Sequence, residues 1–326
     1  MTNHRKTYDG CLVSVVIATW NRRHDLRETL VQYSQQTYPN VEMVVVDNHS
    51  TDGTTQMIET DFPFARLIKL AKDTGIAAYN IGMQAARGEI IVVSDNDSYL
   101  EPEGVEKIVQ KFCHAGRLLA VVACEVVHMP YHTIYDWYPY PIDRADSHPD
   151  GYPTHLFIGS GAGIRKEVLE EVGYCPEEFF LYMNEFDLCT RIIGAGYDIR
   201  YFPDVVTYHN ASPVSRAKEL TYLLSFRNII WYYWKYFPLH IALGRSLIRI
   251  PFELGCFALR RTNPIKVFRT CTELLSRLPT ILHNRRLIPR RNVRKALGHR
   301  SEISTIYYYV AELLKRSKAI RRFSRT

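Results

Sequence analysis

Three short apolar runs of β type each stop at a polar cluster, and this repeated pattern limits the possible fold more than any other feature. Val13-Ser14-Val15-Val16-Ile17-Ala18 leads into Thr19-Trp20-Asn21-Arg22. Val41-Glu42-Met43-Val44-Val45-Val46 leads into Asp47-Asn48-His49-Ser50-Thr51-Asp52-Gly53. Gly88-Glu89-Ile90-Ile91-Val92-Val93-Ser94 leads into Asp95-Asn96-Asp97. Helical stretches follow from His24 to Gln36, Thr54 to Thr60 and Glu103 to His114. Short apolar strands alternating with helices of this length predict a parallel sheet with helices on both faces. Ligands of such sheets gather beyond the carboxyl ends of the strands. The three clusters are therefore expected to converge on one edge.

The third cluster carries the most chemistry. Side chains at i and i+2 of an extended chain point to the same side, and carboxylate oxygens suit Mg²⁺ or Mn²⁺. Alone, Asp95-Asn96-Asp97 reads more simply as a solvated turn that ends a strand. Convergence with the other two clusters makes a hard-metal site the better reading.

The chain has 326 residues, 46% of them apolar, enough for one large domain plus an appendage. Its net charge of +7 is unevenly spread. Residues 220–326 hold 22 Lys and Arg against 4 Asp and Glu, whereas residues 1–219 hold 19 against 30. The seven cysteines show no zinc or redox spacing and read as reduced core thiols. Met1 to Gly10 is polar, so secretion is not expected. No uncharged run reaches the roughly 18 residues of a spanning helix. The segment Ile229 to Leu259 is interrupted by Lys235, Arg245, Arg249 and Glu253.

The three clusters, together with Asn80, Gly82 and Gly88, resemble family 2 glycosyltransferases, inverting enzymes of the GT-A fold, including rhamnosyltransferase-like members. The likeness continues through Phe179-Phe180-Leu181-Tyr182-Met183-Asn184-Glu185-Phe186-Asp187-Leu188, Arg191, Gly196-Tyr197 and His209. It implies an open, mostly parallel α/β sheet in a domain over residues 1–215; residues 216–326 read from their own composition as a helical, basic, aromatic-rich region. It also implies a nucleoside-diphosphate sugar, UDP- or dTDP-linked, held by Thr19, Asn21, Asp47, Gly75, Asn80, Asp95 and Asn96. Arg22 is expected near the same pocket.

By the same resemblance Asp97 ligates a divalent cation, Mn²⁺ or Mg²⁺, with Asp95 and His209 beside it. Family members usually carry Glu-Asp where this chain has Asn184-Glu185, so Glu185 takes the position of the general base. Asp187 is a second candidate; its simpler role is charge complementarity at a helix start. Gly159-Ser160-Gly161-Ala162-Gly163 resembles the family's acceptor-side turn. The aromatic, proline-bearing stretch from His128 to Tyr152 reads as a loop able to stack on sugars.

The acceptor implied is a hydroxyl of a growing surface glycan, lipid-linked, at the inner face of a cytoplasmic membrane. The basic region, with Trp231 and Trp234, reads as a peripheral attachment to an anionic membrane surface. Its charge comes without a nucleic-acid recognition motif. Two other functions fit parts of the pattern. A sugar nucleotidyltransferase would want a glycine-rich loop after the first strand, where this chain has Thr19-Trp20-Asn21-Arg22-Arg23. A non-catalytic glycan- or membrane-binding protein of the same fold is favoured by Asn184 alone.

Overall fold

A computed structural model describes residues 10–129, 133–134, 148–210 and 218–298. The chain forms two compact units, Met1–Ala217 and Lys218–Thr326.

The first unit opens with strand β1 (Val13–Thr19), helix α1 (Arg23–Tyr33), β2 (Val41–Asp47), α2 (Thr54–Asp61), β3 (Arg66–Lys69) and α3 (Ala77–Ala85). It continues with β4 (Ile90–Ser94), β5 (Ser98–Leu100), α4 (Gly104–His114), β6 (Leu119–His128), β7 (Thr133–Ile134) and β8 (Tyr152–Thr154). β9 (Ala162–Arg165), α5 (Lys166–Val172), α6 (Asn184–Gly194) and β10 (Asp198–His209) complete it. The main sheet has the order β3-β2-β1-β4-β9-β6-β10-β5.

β1 is buried along nearly its whole length, which is why it reads as an apolar run interrupted only by Ser14; helices cover both faces of such a strand. α1 turns Leu26, Thr29, Leu30 and Tyr33 inward at helical spacing. Leu26 and Leu30 join Val13, Val15 and Ile17 of β1 and Ile108 and Phe112 of α4 in one core. Full burial of each such side chain contributes about 1.5–3 kcal/mol.

The half β3-β2-β1-β4 is parallel throughout, as the strand–helix alternation predicts. Beyond it the sheet is mixed. β9 runs antiparallel to both β4 and β6, and β5 runs antiparallel to β10. This second half matters for the site, because the β5–β10 pairing sets Ser98 opposite His209. Strand order reverses between β1 and β4, the switch point at which open α/β sheets bind ligands.

α1 ends at Tyr33, earlier than the expected Gln36. The Gln36 side chain serves another helix: its Oε1 accepts the Val105 N–H at 3.0 Å and its Nε2 donates to the Glu101 carbonyl at 2.8 Å. Most of the expected sugar-stacking loop between His128 and Tyr152 lies outside the described residues. All seven cysteines are free thiols.

The second unit is helical: α7 (Lys218–Tyr236), α8 (Leu239–Leu259), α9 (Pro264–His283) and α10 (Arg290–Leu297). α7 packs against both α8 and α9. Asn263 caps α9, its side chain accepting the Ile265 N–H at 2.9 Å, with Pro264 at the first helical position. The aromatics of α7 correct an expectation. Trp231 is fully buried and its indole N–H donates to the Leu274 carbonyl at 3.1 Å. Trp234 donates to Ser246 at 3.0 Å. These rings are packing and hydrogen-bonding groups of the unit rather than membrane anchors. Among the described residues, no helix is long and apolar enough to cross a membrane.

Candidate active site

The parallel half of the sheet brings the three polar clusters together. Thr19 ends β1, and its hydroxyl accepts from the Asn96 side chain at 3.2 Å. The Asn48 N–H donates to the Thr19 carbonyl at 2.8 Å. Asn21, at φ 50°, accepts the Thr51 N–H at 2.7 Å, and its own N–H donates to the Ser50 hydroxyl at 2.9 Å. Asp47 is buried, accepting the Ser50 N–H at 2.9 Å and the Thr55 hydroxyl. These bonds tie the β1 and β2 loops into one rigid rim.

Asp95, Asp97 and His209 converge at the other side. One donor atom from each lies within 4.8 Å of the other two. Asp97 and His209 are buried, with His209 Nε2 3.1 Å from Asp97 Oδ1. The His209 ring stacks on His128 at 5.6 Å between centroids. The buried Arg22 lies 3.8 Å from Asp97 Oδ2 and holds Asp25 at 2.7 Å. Two carboxylates and an imidazole at this spacing fit a divalent cation of the Mn²⁺ or Mg²⁺ type.

Sequence reasoning missed the groups that aim Asp95. The Tyr79 hydroxyl donates to its Oδ1 at 3.1 Å and the Ser160 hydroxyl to its Oδ2 at 2.9 Å. Burial, reinforced by the Asp95 charge, pushes the Tyr79 phenol well above its ordinary pKa, so it stays a donor. Both partners come from distant segments, and no local spacing announces them. Their nearest sequence signals were the glycine-rich turn at 159–163, which contains Ser160, and Asn80, which follows Tyr79.

That turn also meets Glu185. A Cβ on Gly159 would sit 2.7 Å from Glu185 Oε1, so a side chain there would push the carboxylate away from this backbone. Burial pushes the Glu185 carboxyl up to about 7, and the Asp95 charge adds to this. Hydrogen bonds from its own backbone, the Asn184 side chain and the Gly159 backbone pull the other way. A carboxyl titrating near neutrality is suited to moving a proton. Asp187 is placed differently. It is fully buried and pairs with Arg191 at 2.8 Å, while Arg191 also donates to the Val172 and Gly173 carbonyls at 2.7 and 2.6 Å.

Gly75 and Asn80 turn toward the segment that precedes α6. The Asn80 side chain donates to the Cys175 carbonyl at 3.0 Å and accepts the Cys175 N–H at 2.8 Å. The Ile76 N–H donates to the Phe180 carbonyl at 2.6 Å. Gly75 has φ 58°, and a Cβ there would meet that carbonyl oxygen at 2.3 Å. Both residues thus brace the entry to α6, where Phe180, Tyr182 and Met183 all hold positive φ. Side chains in that region cost about 1–3 kcal/mol each and cluster at functional sites.

Residues 14–173 match the model described as glycosyl transferase family 2. Over that segment the chain is similar to that family. The matched segment carries Thr19, Asp47, Asp95 and Asp97 and stops before Glu185 and His209. A succinoglycan biosynthesis protein, ExoO, of Rhizobium meliloti is 32% identical over 36% of this chain and 34% of its own length. A dTDP-rhamnosyl transferase, RfbF, of Shigella flexneri is 28% identical over 60% of this chain and 68% of its own. The chain spans about a third to two thirds of the length of the curated relatives it matches. Among solved structures, a mannosyltransferase of Pyrobaculum calidifontis in complex with GDP-Man and Mn²⁺ superposes with a TM-score of 0.56 at 21% identity. That superposition covers 96% of this chain and 83% of the other. The fold of the chain is accordingly the GT-A α/β architecture.

Proposed function

We propose that this chain is a metal-dependent, inverting glycosyltransferase that moves a sugar from a nucleoside-diphosphate donor to a hydroxyl of a surface glycan. The observation that carries the reading is one serine. Ser160 holds Asp95 of the metal-type cluster, and its neighbour Gly159 lies against the Glu185 carboxylate. Leaving-group and acceptor functions therefore share one turn.

The rim of Thr19, Asn21, Asp47 and Asn96 holds the nucleotide. Asp95, Asp97 and His209 would hold the cation, which when bound neutralises the diphosphate as charge develops on it. Glu185 accepts the proton of the acceptor hydroxyl as that oxygen bonds to the anomeric carbon. The bond from that carbon to the diphosphate oxygen breaks, the nucleoside diphosphate leaves with the electron pair, and the configuration inverts. Asp187 and Arg191 position the helix that bears Glu185. Asn184 replaces a carboxylate that would have added a like charge beside the base.

The likeness to ExoO supports polysaccharide assembly and that to RfbF a dTDP-linked deoxyhexose donor, with a UDP-linked hexose as the alternative. The acceptor we favour is lipid-linked, on the inner face of the cytoplasmic membrane. The basic second unit would attach the protein to that anionic surface. The test is consumption of UDP-, dTDP- and GDP-sugars with Mn²⁺ and with chelator. Metal-dependent turnover of one donor class is expected; turnover indifferent to chelator would remove the cation from the account.

A further inference from the structure

α8 is an amphipathic helix turned inside out. Its Arg and Glu residues, Arg245, Arg249 and Glu253, lie on the side that faces the rest of the unit. Arg245 sits over the Tyr233 ring of α7, 5.4 Å from its centroid. Arg249 and Glu253 pair at 2.7 Å with their side chains 13% and 11% exposed. The opposite side carries Leu239, Leu243, Leu247, Ile248, Leu254 and Leu259, each 40% to 80% exposed. A helix on the surface of a water-soluble domain shows the reverse arrangement. An apolar stripe along a 21-residue helix, about 31 Å long, marks a surface built to meet something else.

We propose that α8 lies flat in the interface of an anionic lipid bilayer, with this leucine face in the acyl boundary. The inference rests on the proposal that the second unit meets a membrane, and it names the element that inserts. Charge selects lipid over a second copy of the chain. Residues 220–326 hold 22 basic against 4 acidic residues, so two such regions repel, whereas an acidic leaflet attracts one. α9 repeats the theme of an interfacial helix, with Phe268 and Leu275 exposed among Arg269 and Arg277. α8 does not cross the bilayer, because its inner side keeps three charges. The contacts to lipid are apolar, so they resist salt, unlike attraction between charges, which weakens as the Debye length falls to about 3 Å at 1 M.

The test is flotation of the full chain with vesicles of phosphatidylcholine alone or mixed with phosphatidylglycerol, at low salt and at about 1 M salt. The wild type should float with the mixed vesicles, and a fraction should stay bound at high salt. In Leu247→Glu combined with Leu254→Glu, the salt-resistant partition should fall at least about 100-fold. Low-salt binding to the mixed vesicles should persist, because the basic residues are untouched. Thermal melting of the variant checks folding, and Leu243→Ser with Leu247→Ser, a milder pair, repeats the measurement if it melts early. Unchanged salt-resistant binding in either pair overturns the role of α8 and leaves membrane attachment standing. Failure of the wild type to bind any vesicle overturns both. A wild-type dimer in light scattering that the variant dissociates would give the face to a second copy and overturn the lipid assignment.

Discussion

At the level of single residues, the surroundings of the Asp95–Asp97–His209 cluster and of Glu185 differ in ways that fit the separate tasks we propose for them. Asp97 is buried beside His209 and near Arg22. Asp97→Ala should abolish any gain in UDP or dTDP affinity on adding Mn²⁺, measured by calorimetry; an unchanged gain would place the cation elsewhere. Glu185 has its folded-state pKa raised to about 7. Transfer, measured as kcat/KM against pH, should rise about tenfold per unit below pH 7 and level above it. The stability effect has the opposite direction. The folded state holds the Glu185 proton more tightly than the unfolded chain, so this group favours folding below about pH 4.5, and that contribution is lost as pH rises through 7. Asp187 is bound to Arg191 at the foot of the same helix. Removing one partner of a buried pair costs about 3–5 kcal/mol. Asp187→Ala should therefore lower the denaturation midpoint, whereas Glu185→Gln should not. The sequence places Glu185 by motif but does not show the Arg191 pairing as more than helical spacing.

Among the elements, β1, β2 and β4 were legible because each is a mostly apolar run ending in polar residues, and burial on both faces demands such runs, whereas β3, with Arg66 and Lys69 exposed at its ends, was not. β9 was not legible. Its four residues, Ala-Gly-Ile-Arg, look like the end of a glycine-rich turn, and only pairing with β4 and β6 makes them a strand. Tyr79 and Ser160 stayed hidden for a related reason, since they reach Asp95 across 16 and 65 residues of sequence. The turn before α6 is the strained element, with Phe180, Tyr182 and Met183 at positive φ against Gly75. Gly75→Ala should destabilise the fold and lower transfer together, because the new methyl would displace the Phe180 carbonyl. Met183→Gly should relax the turn, raising the thermal midpoint by an amount equivalent to about 1 kcal/mol and lowering transfer by loosening Glu185. A variant that gains stability with full activity would separate the strain from the chemistry.

Across the whole molecule, charge asymmetry was visible in the sequence, yet which apolar residues face water was not. α7 is so rich in aromatics that its buried side cannot be read from composition, and Trp231 proves to be a core residue. The leucines of α8, scattered among arginines in the sequence, line the exposed side instead. In the function we propose, Glu185 removes the acceptor proton in a site assembled around the nucleotide sugar. The most direct measurement is transfer of a consumed donor to a glycan acceptor by Glu185→Gln beside the wild type, with donor affinity determined on the same samples. Donor affinity should stay within a few-fold of wild type and transfer should fall at least about 100-fold. Transfer retained at the wild-type rate, with the variant folded and donor bound, would contradict it.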